Sequence, residues 1–286
     1  MSRLTLSTRC LKVDAVNQKG FAVTYLNPPP LAFTSSRLRD KVVFVTGASS
    51  GIGQSAVSLF AREGATVIAA ARRVDRTEAF TAELRGRGLQ AIAVECDVRD
   101  EGSIARAISG VIDRYGRLDG AFNNAGVGGA HGLVHEVKAE DFDRVIGTNL
   151  RGVFLCIKYQ ASAMLKAGHG GSIVNTSSIG GIVGAPRNSV YAASKFGLAG
   201  IVKCAALDYA HDRIRVNAIA PGPTRSEMFD RWMPDEQSRG QMAAKMPMNY
   251  IADPEDMARA ALFLLSDEAR WTTGVTLPCD GGRSAA

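Results

Sequence analysis

One glycine-rich turn constrains this chain more than any other feature. Thr46-Gly47-Ala48-Ser49-Ser50-Gly51-Ile52-Gly53 follows directly on the β-branched and aromatic run Val42-Val43-Phe44-Val45 and opens a helical stretch at 53–62. The glycines permit a tight turn and let the backbone approach a pyrophosphate. The helix start offers unpaired N–H groups and the positive end of its dipole. The spacing is G-x-x-x-G-x-G rather than G-x-G-x-x-G, and alone it also fits a turn that binds nothing. The rest of the chain keeps the same alternation. Apolar runs at 66–70, 91–94, 118–122, 172–174, 214–219 and 275–277 read as strands. Helical stretches are expected at 75–87, 100–115, 139–166, 191–210 and 254–266, the third of these broken at Gly152.

Runs that are apolar throughout fit strands buried on both faces. Strand–helix alternation demands parallel pairing with right-handed crossovers. The expected fold class is therefore α/β: a single-domain, Rossmann-like, doubly wound parallel sheet of about seven strands with helices on both faces. Ligand is expected outside the carboxyl ends of the strands. The domain is expected to span 37–286. Residues 1–36 read as an N-terminal extension: disordered, the product of an upstream start, or, being poor in acids and bearing Ser and Arg, an organellar transit peptide; they carry the breaker run Pro28-Pro29-Pro30 and no sustained period.

The net charge of +6 would suggest nucleic acid, but its distribution argues otherwise. Residues 1–40 carry six Lys/Arg against two Asp/Glu, whereas 41–286 carry 28 against 26. A nearly neutral body lacks the basic stripe of a nucleic-acid binder. No uncharged apolar stretch is long enough for a membrane span. The five cysteines are scattered, which fits a reducing, cytoplasmic setting and buried thiols. No metal site is expected: His131 and His135 have helical spacing, but Gly128, Gly129 and Gly132 make that stretch a loop, and no Cys or acid completes a ligand set.

Two further patterns carry chemistry. After the second strand comes Ala71-Arg72-Arg73, with no acid to bind a ribose 2′-OH. Arg72 can instead hydrogen-bond a 2′-phosphate through two donors, so NADP is favoured over NAD; a merely solvated arginine pair is the alternative. In Tyr191-Ala192-Ala193-Ser194-Lys195, Tyr191 and Lys195 stand at i and i+4 and share a helix face. A phenol is a poor base at neutral pH, and a nearby ammonium favours its phenolate, which makes the pair a plausible proton carrier between carbonyl and alcohol. Taken alone the spacing is a frequent accident.

Taken in order, Thr46 to Gly53, Asp97-Val98, Asn123-Asn124-Ala125-Gly126, Asn149, Ser178, Tyr191/Lys195 and Pro221-Gly222 resemble the short-chain dehydrogenase/reductase family, over about Leu38 to Gly282. The resemblance is to its compact single-domain kind, similar to 3-oxoacyl-carrier-protein reductases and related ketoreductases. It implies an NAD(P)-dependent oxidoreductase acting on CH–OH groups. By this resemblance Ser178 polarises the substrate oxygen, Tyr191 donates or takes the proton, Lys195 binds the nicotinamide ribose and lowers the Tyr191 pKa, and Asn149 holds a water linking Lys195 to solvent. Gly47, Ser49, Ser50, Gly51, Ile52 and Gly53 would hold the pyrophosphate. Asp97 and Val98 would flank the adenine. Asn123, Asn124, Ala125 and Gly126 would line the cleft, and Pro221, Gly222 and Thr224 would sit by the nicotinamide carboxamide.

A substrate lid is expected at about 224–250, where five of the eight methionines fall along with Phe229, Trp232 and Tyr250. Thioethers adapt to varied apolar shapes, so the lid suggests a bulky apolar or flexible small-molecule substrate, unless these side chains only pack the lid down. An acyl-carrier-protein partner would want a basic rim, for which Arg187, Arg225, Arg231 and Arg239 are candidates. The resemblance also implies a homodimer or homotetramer built on the two long helices. The same chemistry with NAD, or a catalytically silent dinucleotide-binding sensor or scaffold, are the competing readings.

Overall fold

A computed structural model describes residues 36–286; the expectations for the N-terminal extension, and Cys10, lie outside the described residues. Among the described residues there are seven strands: β1 (Val42–Thr46), β2 (Thr66–Ala71), β3 (Ala91–Glu95), β4 (Gly120–Asn123), β5 (Gly171–Thr176), β6 (Ile214–Pro221) and β7 (Thr276–Cys279). Between and after them run α1 (Gly51–Arg62), α2 (Val74–Gly86), α3 (Glu101–Tyr115), α4 (Ala139–Ile146), α5 (Gly152–Ala167), α6 (Ser189–Asp208), α7 (Glu227–Trp232), α8 (Glu236–Ala244) and α9 (Pro254–Leu265). The strands form one sheet in the order β3-β2-β1-β4-β5-β6-β7, every pair parallel. The order reverses between β1 and β4, which makes the carboxyl ends of those strands the switch point where such sheets bind ligands.

Successive residues of β1 point to opposite faces and supply two cores. Val42 and Phe44 join Ile104, Val153, Leu198 and Val202 from α3, α5 and α6. Val43 and Val45 join Val57, Phe60, Leu262 and Leu265 from α1 and α9. Both faces of the sheet are covered, which is why its strands read as unbroken apolar runs. A buried amide chain crosses three strands: Asn123 bonds Gln160 and Asn175, Asn175 donates to the carbonyl of Asn217, and Asn217 donates to that of Thr272. Each amide is paired, so these polar groups lock strand register without an unsatisfied partner.

Two expectations need correction. The 139–166 helix is interrupted earlier than Gly152: Gly147–Arg151 forms a π-helical turn between α4 and α5. One extra residue per turn at this point brings Asn149 inward, fully buried, which a regular 3.6-residue period does not anticipate. Cys96 and Cys156 are buried as expected, and burial pushes the Cys96 thiol up to about 11, but Cys204 is exposed on α6. The expectation of no long uncharged apolar stretch is not overturned: α6 is long and apolar enough by length and composition to cross a membrane, but it carries Lys195 and Lys203. Its Val190, Leu198, Val202, Ala205 and Ala206 are buried, so it is a core helix of the fold.

Candidate functional site

The glycine turn joins β1 to α1 at the switch point. Gly47 and Gly51 take positive φ of 67° and 54°, backbone that a side chain would strain. Ser50 caps α1 without a side-chain hydrogen bond, and the first turn holds no acid. No side chain of this helix start caps the leading N–H groups of α1, an arrangement that fits an anion. Asn124 braces the turn from below. Its backbone N–H donates to the Thr46 hydroxyl at 3.0 Å, its amide nitrogen lies 3.5 Å from the carbonyls of Thr46 and Gly47, and its amide oxygen accepts from Thr176 at 3.3 Å. The Asn124 side chain is therefore committed to the strand ends. Asn123 is committed to the buried amide chain.

The β2 end separates two adjacent arginines. Arg72 is exposed, and its charge bears on Asp97. Burial pushes the Asp97 carboxyl up, but hydrogen bonds from the Arg99 backbone and guanidinium, with the charges of Arg99 and Arg72, outweigh it and hold the group below its ordinary value. Arg73 turns the other way and donates to the Ser49 hydroxyl in the glycine turn at 3.1 Å. Arg73 is thus the cation that spans β2 and the turn, whereas the sequence pointed to Arg72 as the phosphate-binding cation.

The residues expected to be catalytic come from three elements: the π turn, the loop after β5 and α6. Tyr191 and Lys195 lie one turn apart on α6, with the Lys195 ammonium 5.6 Å from the Tyr191 ring centroid. Lys195 is buried and donates to the Thr176 carbonyl at 2.7 Å; burial lowers its pKa to about 8. Burial raises the Tyr191 phenol, with a hydrogen bond involving Ser178 acting in the opposite sense, so the group holds its proton at neutral pH. Ser178 ends the loop after β5, and its hydroxyl accepts from the Gly180 N–H at 3.1 Å, which fixes its side chain. Asn149 is clamped to Val127, accepting from its N–H at 2.8 Å and donating to its carbonyl at 2.9 Å, and its amide lies 3.4 Å from the Ser194 hydroxyl. Asn149 thereby ties the π turn to α6 and to the loop after Gly126. Pro221 ends β6, Gly222 packs on Asp280, and the buried Thr224 donates to the Gly222 carbonyl at 3.0 Å.

The segment 224–250 contains α7 and α8, and a Cβ on Gly128 would lie 3.9 Å from the Met228 side chain. Phe229 and Met246 are buried, whereas Met248 and Tyr250 line a cleft of about 320 Å³ with Gly222, Pro223 and Asp280. Trp232 is half exposed, with its ring plane within 7° of His131 and centroids 6.5 Å apart. This pairing of Trp232 with the 128–132 loop carries no local sequence signal. Of the four candidate rim arginines, Arg187, Arg225 and Arg239 pair with Glu136, Asp253 and Asp230, so much of that positive charge is locally neutralised.

Residues 47–284 match the family profile described as enoyl-(acyl carrier protein) reductase. An A-factor type gamma-butyrolactone 1′-reductase (1S-forming) of Streptomyces virginiae is 44% identical over 248 residues, 86% of this chain and 96% of that protein. A 3-oxoacyl-[acyl-carrier-protein] reductase of Thermotoga maritima is 39% identical over 86% of this chain and 98% of its own length. The crystal structure of levodione reductase superposes with a TM-score of 0.84 at 34% identity, covering 87% of this chain and 99% of that one. With the fold, the motif order and these relatives in agreement, the chain belongs to the short-chain dehydrogenase/reductase family and is an oxidoreductase acting on alcohol or ketone groups.

Proposed function

We propose that this protein reduces a small-molecule ketone, or oxidises the corresponding secondary alcohol, with NADP(H), and that Tyr191 carries the proton. The observation that carries this reading is the convergence of Tyr191, Lys195 and Ser178, from two separate elements, on one buried side of α6. The turn from Gly47 to Gly53 fits a pyrophosphate, because the first turn of α1 offers donors with no competing acid. The dinucleotide supplies or accepts a hydride when bound. Val98 and Asp97 would face its adenine, Arg72 and Arg73 its 2′-phosphate, Ala125 and Gly126 the cleft wall, and Pro221, Gly222 and Thr224 its carboxamide.

The protein's own part is to hold the substrate oxygen between the Ser178 hydroxyl and the Tyr191 phenol and to move one proton at the phenolic oxygen. Because burial keeps that phenol neutral, it is ready to donate during reduction; oxidation needs it ionised. The Lys195 ammonium, charged below about pH 8 and neutral above, favours the ionised phenol and tops up its proton. Above about pH 8 a neutral Lys195 can no longer resupply the phenol's proton but can accept one from it, so rates of reduction are expected to fall as pH rises from 7 to 9, and rates of oxidation to rise over the same window. Initial-rate profiles measured in both directions check this, and two flat profiles would remove Tyr191 and Lys195 from the proton path.

The name of the Streptomyces relative supports placing a ketone of the gamma-butyrolactone class first among trial substrates, beside cyclic ketones and β-ketoacyl thioesters. Exposed Phe154 and Leu165 on α5 and Phe196 and Leu207 on α6 support a homodimer or homotetramer built on those helices. NADPH and NADH, followed in parallel by absorbance at the reduced-nicotinamide band, test the cofactor. Changing Arg72 and Arg73 together to Ala is expected to cut the preference for NADPH by about tenfold or more, since a charge-assisted hydrogen bond is worth about 1.5–3 kcal/mol. Equal use of both cofactors by the unaltered protein would refute the assignment. The NAD reading has one observation in its favour: an acid, Glu227, already sits on the arginines beside the glycine turn.

A further inference from the structure

That acid belongs to the opposite side of the site. Glu227 is the first residue of α7, in the segment expected to be the substrate lid, yet its carboxylate reaches back to the β2 end. One oxygen lies 2.6 Å from Arg76 on α2 and the other 3.5 Å from Arg73. The same Arg73 nitrogen bonds Ser49 in the glycine turn at 3.1 Å. The start of α7 is also in close register with that turn: a Cβ on Gly51 would come within 3.1 Å of the Ser226 side chain. In a doubly wound sheet the adenosine ribose lies between the glycine turn and the end of the second strand. Arg73 joins those two elements, so a ribose 2′-phosphate and the Glu227 carboxylate would call on the same guanidinium.

Resting on the NADP reading above, we propose that Glu227 is a specificity-determining residue: it competes with the 2′-phosphate for Arg73 and Arg76, and so couples the choice of dinucleotide to the position of α7. With the 2′-phosphate absent, the carboxylate holds α7 on α2. A 2′-phosphate draws Arg73 and Arg76 away from the carboxylate and releases that hold, leaving α7 free to move. Arg73, Arg76 and Glu227 are each partly exposed, so the competition is of the size of an exposed ion pair. Exposure also means that substitution at Glu227 leaves no buried charge unpaired and does not threaten folding.

The test compares binding of 2′,5′-ADP and 5′-AMP by calorimetry in the full-length protein, in Glu227→Gln, in Arg76→Met and in the double variant. Glu227→Gln is expected to tighten 2′,5′-ADP about two- to fivefold while 5′-AMP moves less than that, with the gain shrinking when Arg76 is already Met. Hydrogen exchange of residues 226–232 is expected to speed up when 2′,5′-ADP binds the unaltered protein, and not when 5′-AMP does. If Glu227→Gln shifts both ligands alike, or neither, the competition is overturned. The unaltered protein separates this from the reading beneath it. Preference for 2′,5′-ADP with a ratio unmoved by Glu227→Gln overturns the competition alone. Equal binding of both ligands, also unmoved by the substitution, overturns the NADP reading with it.

Discussion

Tyr191→Phe is expected to lower kcat/KM for carbonyl reduction by about 10²–10⁴, the usual contribution of a positioned general acid, with little change in dinucleotide affinity. The substitution removes one oxygen and keeps the ring. The ring's neighbours, among them the Lys195 ammonium 5.6 Å from its centroid, stay in place, so packing is conserved. What is lost is the phenolic hydroxyl beside Ser178, which in the proposed function carries the proton. Melting temperature and dinucleotide binding, measured alongside initial rates, distinguish this from damage to the fold. A variant that keeps more than a tenth of the rate would show that Tyr191 is not the proton donor.

Gly53→Ala should abolish most dinucleotide binding for a different reason. A Cβ at residue 53 would lie 2.2 Å from the Gly47 carbonyl oxygen and 2.7 Å from the Asn124 amide nitrogen. The first is backbone of the turn itself and the second is pinned by Thr46, Gly47 and Thr176, so neither can swing aside. Relief requires the turn to open, the geometry on which phosphate contact depends. Overpacking of this kind costs about 1–3 kcal/mol, which as affinity is about five- to 150-fold. Gly110→Ala on the exposed side of α3, where a Cβ meets nothing within 4 Å, is the control. It is expected to stabilise the protein by up to about 1 kcal/mol, because alanine is the better helix former. Thermal unfolding with and without NADPH checks both variants. Equal ligand-induced shifts in Gly53→Ala and the unaltered protein would mean that the turn tolerates the methyl group.

Strand–helix alternation, the glycine turn and the Tyr191/Lys195 pairing were all legible from residues close together in the chain. Each follows from a local period or a fixed spacing: strands buried on both faces read as apolar runs, and i and i+4 share a helix face wherever the helix lies. The motif order then identified the family, which the relatives bear out. The π turn at Gly147–Arg151 was not legible, because it is stabilised by what Asn149 meets across the loop at Val127 rather than by any local preference.

The same division runs through the arginines. That a cation follows β2 is written in Arg72-Arg73; that Arg73 rather than Arg72 reaches Ser49 depends on how the chain leaves the strand in three dimensions. Glu227 is 154 residues from Arg73, and nothing in the periodicity of either segment couples them. Their meeting depends on the sheet order, in which β1 sits between β2 and β4 and brings the glycine turn, the β2 end and the segment after β6 to one edge. Local sequence determined which elements form and which side chains share a face, because those follow from backbone geometry over a few residues. The tertiary structure alone decided which elements become neighbours, because that choice minimises exposed apolar surface over the whole sheet, a sum no local window contains.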